Sequence, residues 1–430
     1  MKVGIYTLGC KVNTYESEYV INVLKKAGYE IVDFNDNADI YIINTCTVTN
    51  TSDIKSKKIL RKAKKNNPNA CIVALGCFVQ ACINLGKEIE GVDILIGNKD
   101  KSKIVELLDE YFKEKKEINH TMINFDEDFE DMYIDNINSR TRAFVKIQDG
   151  CENFCSYCII PFVRGKCRSK DFDTVIKEVK SLVANGYKEI VLTGIHTGNY
   201  GVDINKKFSD VLKELVKIDG LVRLRISSIE ITELTDEVLD IIKNNKVIVN
   251  HLHIPLQAGS NKVLKLMNRK YDLDYFIDKI NYIRKIKKDI SITTDIIVGH
   301  PFEDDITFKE SLNTIRKINF SKIHVFPYSK RDGTKASTMD QIDETVKKER
   351  VKELLKLSKE LEINYMNKFI NKDLDVLIET SKDGYSYGHT TNYLYVKLEG
   401  NFNSGDIVSV KLTHVNYPYV MGEVLCLEKV

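Results

Sequence analysis

The sequence has no long apolar run, no strong excess of charge of one sign and no N-terminal export signal. No apolar run approaches the length of about 18 residues at which a segment can span a membrane. Residues 1–5 (MKVGI) lead straight into an apolar strand pattern, whereas a signal peptide begins with a basic segment and continues with an apolar one. We therefore expect a cytoplasmic protein without membrane contact.

The balance of charge excludes a protein that attracts nucleic acid through its overall charge. The 430 residues include 64 Lys and Arg against 62 Asp and Glu, a net charge of +2. Contact with nucleic acid must therefore come from local patches. One patch is the predicted basic helix between Asp53 and Pro68, which carries Lys58 and Arg61. Such a run is as often a solvated helix face as an RNA contact.

Ten cysteines occur in a chain that has no export signal. Disulfide frameworks belong mainly to exported proteins, so these thiols indicate metal binding or catalysis in a reducing compartment. The densest group is Cys151, Cys155 and Cys158, which follows a predicted strand with three and then two residues between the thiols.

The spacing of this group favours an iron–sulfur cluster. A structural cluster normally takes four thiolates, so a group of three leaves one iron open to a further ligand. A zinc site would need a fourth ligand at paired spacing, and Cys167, nine residues after Cys158, has no C-x2-C partner. Buried structural cysteines are the other alternative.

Residues 1–115 alternate between predicted strands and helices, which implies a parallel sheet. The predicted strands are 3–8, 40–43, 72–75 and 92–96, and residues 14–27 have helical periodicity. Three of these strands end in Gly9-Cys10, Thr45-Cys46 and Gly76-Cys77. Because ligands of open parallel sheets bind outside the carboxyl ends of the strands, the three thiols should converge on a second site.

The remaining chain divides into a linker and two further domains. Residues 116–138 are strongly charged, with few apolar residues, and are predicted to be a linker. Residues 139–366 alternate again, with strands predicted at 143–147, 189–192, 222–226, 251–254, 292–297 and 322–326. Six β/α units predict a partial TIM-like barrel, whose sites lie at the C-terminal ends of strands. Residues 367–430 alternate apolar and polar residues between turns, with strands predicted at 375–378, 393–396, 407–410 and 419–422, which predicts a small all-β barrel.

Several residues outside the cysteines are candidates for binding. Those that follow predicted barrel strands are Thr193, Gly194, His196, Ser228, Glu230 and Gln257, although each polar one is equally plausible as a cap. Arg164 and Arg168 suit phosphate or carboxylate recognition because guanidinium groups bind oxyanions as a fork. Tyr393 lies among tyrosines of the β-barrel that can stack on bases or fill the core.

These motifs resemble a known family. The C-x3-C-x2-C loop with Tyr157 before its last Cys resembles the radical S-adenosylmethionine (SAM) signature. The segments 7–13 (TLGCKVN), 44–48 (NTCTV) and 76–80 (GCFVQ) resemble the methylthiotransferases, and the branch acting on N6-threonylcarbamoyladenosine in tRNA is the most similar. The C-terminal region resembles the TRAM module, an RNA-binding barrel.

The resemblance implies an α/β protein with three parts: a Rossmann-like N-terminal domain, a TIM-like partial (β/α)6 barrel as the radical SAM core, and a small C-terminal all-β TRAM barrel. It implies that Cys151, Cys155 and Cys158 hold a [4Fe-4S] cluster whose open iron binds SAM. By motif position, Cys10, Cys46 and Cys77 hold an auxiliary [4Fe-4S] cluster that delivers sulfur. SAM would contact Tyr157 and the strand-end residues named above, which are Thr193, Gly194, His196, Ser228, Glu230 and Gln257.

The implied reaction adds a methylthio group to C2 of N6-threonylcarbamoyladenosine at position 37 of tRNAs that read codons beginning with A. SAM would provide a radical for the unactivated C2–H bond, and we expect no catalytic side chain beyond the cluster ligands. The implied partners are tRNA, a flavodoxin- or ferredoxin-type electron donor and a sulfur donor. RNA contacts would come from Arg164, Arg168, Lys58, Arg61 and Tyr393.

The choice of nucleoside depends on segment 9–13 (GCKVN). The branch for isopentenyladenosine typically has Gln-Met between the Cys and the Asn, and the branch for a ribosomal-protein aspartate has Pro-Lys. These two substrates are the alternatives within the enzyme class, and a non-catalytic iron–sulfur RNA-binding protein is the alternative outside it. One departure stands at 298–303 (VGHPFE), where His300 and Phe302 replace the Phe and Gly that are usual in relatives.

Overall fold

The computed structural model describes residues 1–121, 128–135 and 141–428. Parts of the predicted linker, 122–127 and 136–138, lie outside the described residues. Of the helices in the described part of the chain, none is both long and apolar enough to cross a membrane.

The N-terminal region is a six-stranded parallel sheet in the order β2-β1-β3-β4-β5-β6. Its elements are β1 Lys2–Thr7, α1 Lys11–Lys26, β2 Glu30–Val32, β3 Ile40–Thr45, α2 Asn50–Asn66, β4 Cys71–Gly76, α3 Cys77–Asn84, β5 Ile94–Ile96, α4 Ile104–Glu114 and β6 Ile118–His120. The four predicted strands are present as β1, β3, β4 and β5. β2 and β6 have three residues each, too few to produce a recognisable apolar pattern.

The segment predicted as a linker takes more part in the fold than expected. β6 belongs to it, yet it pairs with β5 as the last strand of the sheet. Met132 and Ile134 are fully buried in the main apolar core together with Tyr15. Tyr15 donates a hydrogen bond of 2.6 Å to the carbonyl of Met132. The two apolar residues that anchor this segment were not predicted because the segment as a whole is strongly charged.

The central region is an open arc of parallel strands with helices on its outer side. The elements are β7 Arg142–Lys146, β8 Gln148–Asp149, α5 Ile160–Arg164, β9 Arg168–Ser169, α6 Phe172–Ala184, β10 Glu189–Thr193, α7 Phe208–Leu215, β11 Arg223–Ile226, α8 Asp236–Asn244, β12 His251–His253, α9 Asn261–Leu266, α10 Leu273–Ile286, β13 Ser291–Val298, α11 Asp305–Ile318, β14 Lys322–Pro327 and α12 Glu344–Asn367. Bridges from Leu224 to Ile248 and from Ser228 to His253 join its two halves, β7-β10-β11 and β12-β13-β14. All six predicted strands of the arc are present.

Alternation along the strands separates the two faces of the arc. Leu252, Ile292 and Ile296 pack in the apolar core with the outer helices. Their neighbours His253, Thr293 and Asp295 point the other way because successive side chains of a strand alternate. The outer face is therefore apolar, and the inner face is polar.

The C-terminal region is a closed barrel in the order β15-β16-β17-β19-β18. Its strands are β15 Asp373–Lys382, β16 Tyr385–Thr390, β17 Tyr395–Glu399, β18 Ile407–Asn416 and β19 Tyr419–Glu428. Four of the five strands were predicted; β16 was not, because its sequence (YSYGHT) lacks aliphatic residues. Arg223 fixes the barrel to the arc by donating to the carbonyls of His389 (2.9 Å) and Asp375 (2.8 Å).

Candidate cluster and substrate site

The structure brings Cys10, Cys46 and Cys77 to the carboxyl edge of the N-terminal sheet. Cys10 precedes α1, Cys46 follows β3 directly, and Cys77 is the first residue of α3. Gly9 shows how closely the chain approaches there: its φ is +103°, and a Cβ would lie 3.0 Å from Cys46 Sγ. All three cysteines are free thiols, so they are available as ligands.

The second thiol group occupies the loop after β7 and β8. Gly150 opens this loop with φ +74°, and a Cβ there would lie 1.8 Å from the Lys166 carbonyl oxygen, so only glycine fits. The Ser156 amide donates to the carbonyl of Met267 (3.0 Å), and the Cys158 amide donates to that of Cys155 (3.0 Å). These two hydrogen bonds fix the loop to the segment at Met267 and close a turn between the second and the third of its thiols.

The thiol environments fit metal ligation better than free nucleophiles. Burial, followed by the charges of Cys77 and Cys10, raises the pKa of the Cys46 thiol to about 11. Burial and the charge of Cys155 raise the pKa of Cys158 to about 12. Thiolates at these positions need bound cations to become stable, and a metal cluster supplies them.

Arg269 is a residue of this site that the sequence did not reveal. Its guanidinium donates to Cys155 Sγ (3.4 Å) and forms an ion pair with Glu230. A cation next to a cluster ligand stabilises its thiolate form. Arg269 is 114 residues from Cys155 in the sequence and belongs to no recognised motif, so only the fold reveals the contact.

His196, predicted as a SAM contact, lies beside the cluster loop. Its Nδ1 is 4.0 Å from Cys151 Sγ, and its Nε2 pairs with Glu233. Burial by itself lowers the pKa of His196, but hydrogen bonds with Cys151, Cys167 and Glu233 raise it to about 12. The imidazolium is a second cation next to this thiol group.

Other predicted SAM contacts have structural partners. The Thr193 carbonyl accepts the Ile147 amide (2.9 Å), and Ser228 forms a parallel bridge with His253. Gly194 lies against Gln148, where a Cβ would be 3.0 Å from Oε1. Contact between these residues and SAM stays a prediction.

A cavity of about 180 Å³ lies beside the second thiol group. On the arc side Tyr157, Cys158 and Gln257 line it, and on the sheet side Val48 and Thr49, which follow shortly after Cys46. Cys77 belongs to one apolar cluster with Ile159, which also lines the cavity. Cys158 therefore borders the cavity directly, the N-terminal thiols lie one residue layer away from it, and the predicted contacts Tyr157 and Gln257 face it.

A fully buried charge network connects the two groups. Glu16 pairs with Lys101 (3.0 Å), Lys146 (2.9 Å) and Arg164 (3.0 Å), and Asp149 pairs with Lys146 (2.7 Å) and Arg164 (2.9 Å). Three cations thus face two carboxylates. A buried excess charge is costly unless an anion lies nearby, and a thiolate-bound cluster at Cys77 would provide one.

Arg164, which we expected to contact RNA, belongs to this network. Its side chain is 0% exposed. Nε donates to Cys77 Sγ (3.3 Å), and the terminal nitrogens donate to Asp149, Glu16 and Asn13. Because each nitrogen already has a partner, the side chain links the two thiol groups and leaves no donor for RNA.

Lys11, which belongs to the N-terminal domain, lies near the inner face of the arc. Five residues on five different strands interact electrostatically with Lys11: Arg142, Glu189, Arg225, His251 and Asp295. Burial, followed by the charges of Arg225 and Arg142, lowers the pKa of Lys11 to about 8. We call the inner face of the arc around Lys11, with Arg225, His251 and Asp295, the arc chamber.

One wall of the arc chamber carries two imidazoles and a carboxylate. The ligand atoms of His253, Asp295 and His324 lie within 4.8 Å of one another. His253 Nδ1 is 2.9 Å from Thr293 Oγ1, which orients the ring toward Asp295. These donors and acceptors suit hydrogen bonds to an adenine ring, and the same set can ligate a cation.

The departure at His300 and Phe302 has a structural explanation. His300 is fully buried, and burial lowers its pKa to about 4, so the ring is neutral. Its Nδ1 donates to the Pro301 carbonyl (3.0 Å), and its Nε2 accepts from the Ser156 hydroxyl (3.0 Å). The histidine therefore fixes the cluster loop by a polar contact. Phe302 adopts φ +64°, the left-handed conformation that glycine favours.

The other predicted RNA contacts have different environments. Lys58 and Arg61 lie on the exposed face of α2. Arg168 is 8% exposed and lines a cavity of about 580 Å³ together with Lys170 and Asp171. Lys58 and Arg61 are therefore accessible to a large partner, and Arg168 is much less so.

Tyr393 is enclosed between the barrel and the arc and does not offer a free face to a base. Its ring stacks on His251 and on His389, with centroids 4.5 Å apart in each pair. The Arg225 guanidinium lies 4.6 Å from the ring centroid. The predicted role in RNA stacking is therefore not supported, and the ring instead fixes two domains together.

Replacement of Tyr393 by Ala should lower the free energy of unfolding by about 1–3 kcal/mol through lost stacking and cation–π contacts. Urea denaturation should detect this change, while Tyr275→Ala on the exposed side of α10 should have little effect. Unchanged stability together with weaker RNA binding would restore the base-stacking role.

Two family descriptions match the sequence: residues 145–315 match the Radical SAM superfamily, and residues 2–97 match Uncharacterized protein family UPF0004. The Threonylcarbamoyladenosine tRNA methylthiotransferase MtaB of Bacillus subtilis (strain 168) is 45% identical over 98% of this chain and 96% of that protein. The protein of the same name from Aquifex aeolicus is 36% identical, over 95% and 100%. The tRNA-2-methylthio-N(6)-dimethylallyladenosine synthase of Clostridium botulinum (strain Loch Maree / Type A3) is 36% identical, over 97% and 96%.

Two solved structures have a similar fold. The radical S-adenosylmethionine methyltransferase TsrM from Kitasatospora setae, with cobalamin and a [4Fe-4S] cluster bound, has a TM-score of 0.56 at 12% identity and covers 78% of this chain and 74% of its own. The cobalamin-dependent S-adenosylmethionine radical enzyme OxsB has a TM-score of 0.53 at 12% identity, covering 84% and 56%. At this identity the likeness concerns the fold alone.

Proposed function

This chain belongs to the radical SAM methylthiotransferase family, and we propose that it adds a methylthio group to C2 of N6-threonylcarbamoyladenosine at position 37 of tRNA. The tRNAs concerned read codons that begin with A. The name of the relative that is 45% identical over nearly the whole chain supports this substrate.

The observation that carries the proposal is the proximity of two groups of three thiols to one cavity. Cys158 borders the cavity from the arc, and Val48 and Thr49, shortly after Cys46, border it from the sheet. Cys77 packs in one apolar cluster with Ile159, which also borders the cavity. Methylthiolation needs a site that activates a C–H bond and a second site that holds sulfur, and both must reach one substrate atom. Two thiol groups close to one cavity meet that requirement.

The cysteines fit the cofactors of the family. When bound, SAM and the [4Fe-4S] clusters supply the radical, the sulfur and the methyl group, none of which a side chain can provide. Cys151, Cys155 and Cys158 would hold one cluster, with Arg269 stabilising the thiolate charge of Cys155. Cys10, Cys46 and Cys77 would hold the other, with Arg164 donating to Cys77.

The exposed surface suits a tRNA. The face of α2 with Lys58 and Arg61 offers cations for phosphates, and the C-terminal barrel has the strand pattern of an RNA-binding TRAM module. Electrons would come from a flavodoxin- or ferredoxin-type protein, and a separate sulfur donor would renew the auxiliary cluster. A tRNA substrate of this kind puts the enzyme in the cytoplasm.

Nucleoside mass spectrometry of tRNA from a strain lacking this gene tests the substrate. We expect loss of the methylthio form of N6-threonylcarbamoyladenosine, the unmodified parent nucleoside in its place, and restoration by the plasmid-borne gene. Loss of the methylthio form of isopentenyladenosine instead would assign the chain to the other tRNA branch. Unchanged tRNA with an unmodified ribosomal-protein aspartate would assign it to the protein-modifying branch.

A further inference from the structure

Lys11 is a cation without a direct partner in the arc chamber. Within the described part of the chain, its amine has neither an ion pair nor a hydrogen bond, although it is only partly exposed. The charged groups around it have direct contacts of their own: Arg225 with Glu189 (2.6 Å), Arg142 with Glu379 (3.0 Å) and Asp295 with His253 (3.2 Å). The amine of Lys11 is therefore available to an anionic ligand.

Two further polar groups in the chamber lack partners. The side chain of Arg225 is 2% exposed, and its Nε and one terminal nitrogen bind Glu189, but the other terminal nitrogen has no hydrogen-bond partner in the described residues. Nδ1 of the buried His251 also has none. Buried polar groups rarely remain unpaired, so an unpaired guanidinium nitrogen near the amine of Lys11 indicates the binding position of an anionic ligand.

We propose that Lys11, supported by Arg225, binds the carboxylate of the threonylcarbamoyl group and thereby selects this nucleoside. The proposal rests on the proposed function. The threonylcarbamoyl group carries a carboxylate and an isopentenyl group carries no charge, so only the former supplies the missing anion. An uncharged substituent would leave Lys11 unpaired in a partly dehydrated site, which penalises the wrong nucleoside.

The position of Lys11 in the chain gives this selection a further consequence. Lys11 directly follows Cys10 and begins α1. A nucleoside whose N6 substituent is held by Lys11 therefore lies close to the N-terminal thiol group. Lys11 acts here as a positioning residue, because it binds the substituent and not the reacting C2 atom.

The test compares two synthetic anticodon stem-loop RNAs, one with N6-threonylcarbamoyladenosine and one with its uncharged threoninamide analogue. The wild-type holoenzyme should prefer the acid, with a lower KM by on the order of 10- to 100-fold, as a charge-assisted hydrogen bond predicts. Lys11→Gln should act on the two RNAs about equally. Lys11→Arg, which keeps the charge, and Lys25→Gln, on the exposed side of α1, should retain the preference.

Iron content and SAM cleavage of each variant show whether the clusters remain intact. If Lys11→Gln keeps the wild-type preference, the role of Lys11 is refuted while the proposed function stands. A raised KM for SAM with the acid preference intact would reassign Lys11 to the carboxylate of SAM. If Lys11→Gln loses its clusters, the comparison of the two RNAs with the wild-type enzyme is the test. Equal wild-type KM values for the acid RNA and the amide RNA then refute the proposal. Wild-type SAM cleavage without product from either RNA would instead overturn the proposed function.

Discussion

Replacement of Cys10, Cys46 and Cys77 by alanine abolishes methylthiolation of tRNA while SAM cleavage remains measurable. We expect this result because the second thiol group, with its supporting cations Arg269 and His196, lies on the arc and does not depend on the sheet. Iron and sulfide should fall to about half of the wild-type content, as the loss of one of two clusters requires. The readouts are 5′-deoxyadenosine and the methylthio nucleoside.

The chain contains a matched control for this variant. Cys71 and Cys82 are also buried free thiols, but they lie in apolar clusters away from the cavity. Cys71→Ala with Cys82→Ala should keep both clusters and full activity, whereas alanine at Cys151, Cys155 and Cys158 should abolish SAM cleavage. A thiolated product from the variant without Cys10, Cys46 and Cys77 would show that the sulfur does not come from the N-terminal site.

Glu16→Gln should lower the free energy of unfolding by about 3–5 kcal/mol, the cost of breaking a buried ion pair by removing one partner. Glutamine keeps the shape of the side chain but removes the carboxylate partner of Lys101 in the network and leaves Lys146 and Arg164 with Asp149 alone. Because Glu16 lies on α1 and Lys146 and Arg164 belong to the arc, the domain interface should weaken first. Urea denaturation of the reconstituted protein measures the change.

Glu110→Gln, on the exposed side of α4, is the control and should change stability by less than about 0.5 kcal/mol. The auxiliary cluster of the Glu16 variant should also be lost more readily, because Arg164 is bonded to both Glu16 and Cys77. If the Glu16 variant unfolds like the wild type, the network contributes little to the interface.

The helices and strands could be predicted from the sequence wherever an apolar segment was long enough to form a periodic pattern. The four strands predicted in the sheet and the six in the arc each contain apolar residues that recur on the buried face. β2 and β6 were missed because a strand of three residues has no period, and β16 because its buried face is made of Ser, Gly and Thr. Met132 and Ile134 were overlooked because charged neighbours surround them in the sequence.

Thiol spacing was enough to predict the chemistry that is available to this protein, because such spacing is local: three ligands within eight residues form one group, and three at strand ends are brought together by any parallel sheet. The roles of the charged and aromatic side chains depended on the three-dimensional fold. Arg164, predicted to contact RNA, is instead bonded to Cys77 and Glu16, and Tyr393, predicted to stack on a base, instead stacks on His251. Arg269 lies beside Cys155, and Lys11 lies inside the arc. A long polar side chain pairs with whichever group the fold leaves without a partner, and partners far apart in the sequence leave no pattern in it.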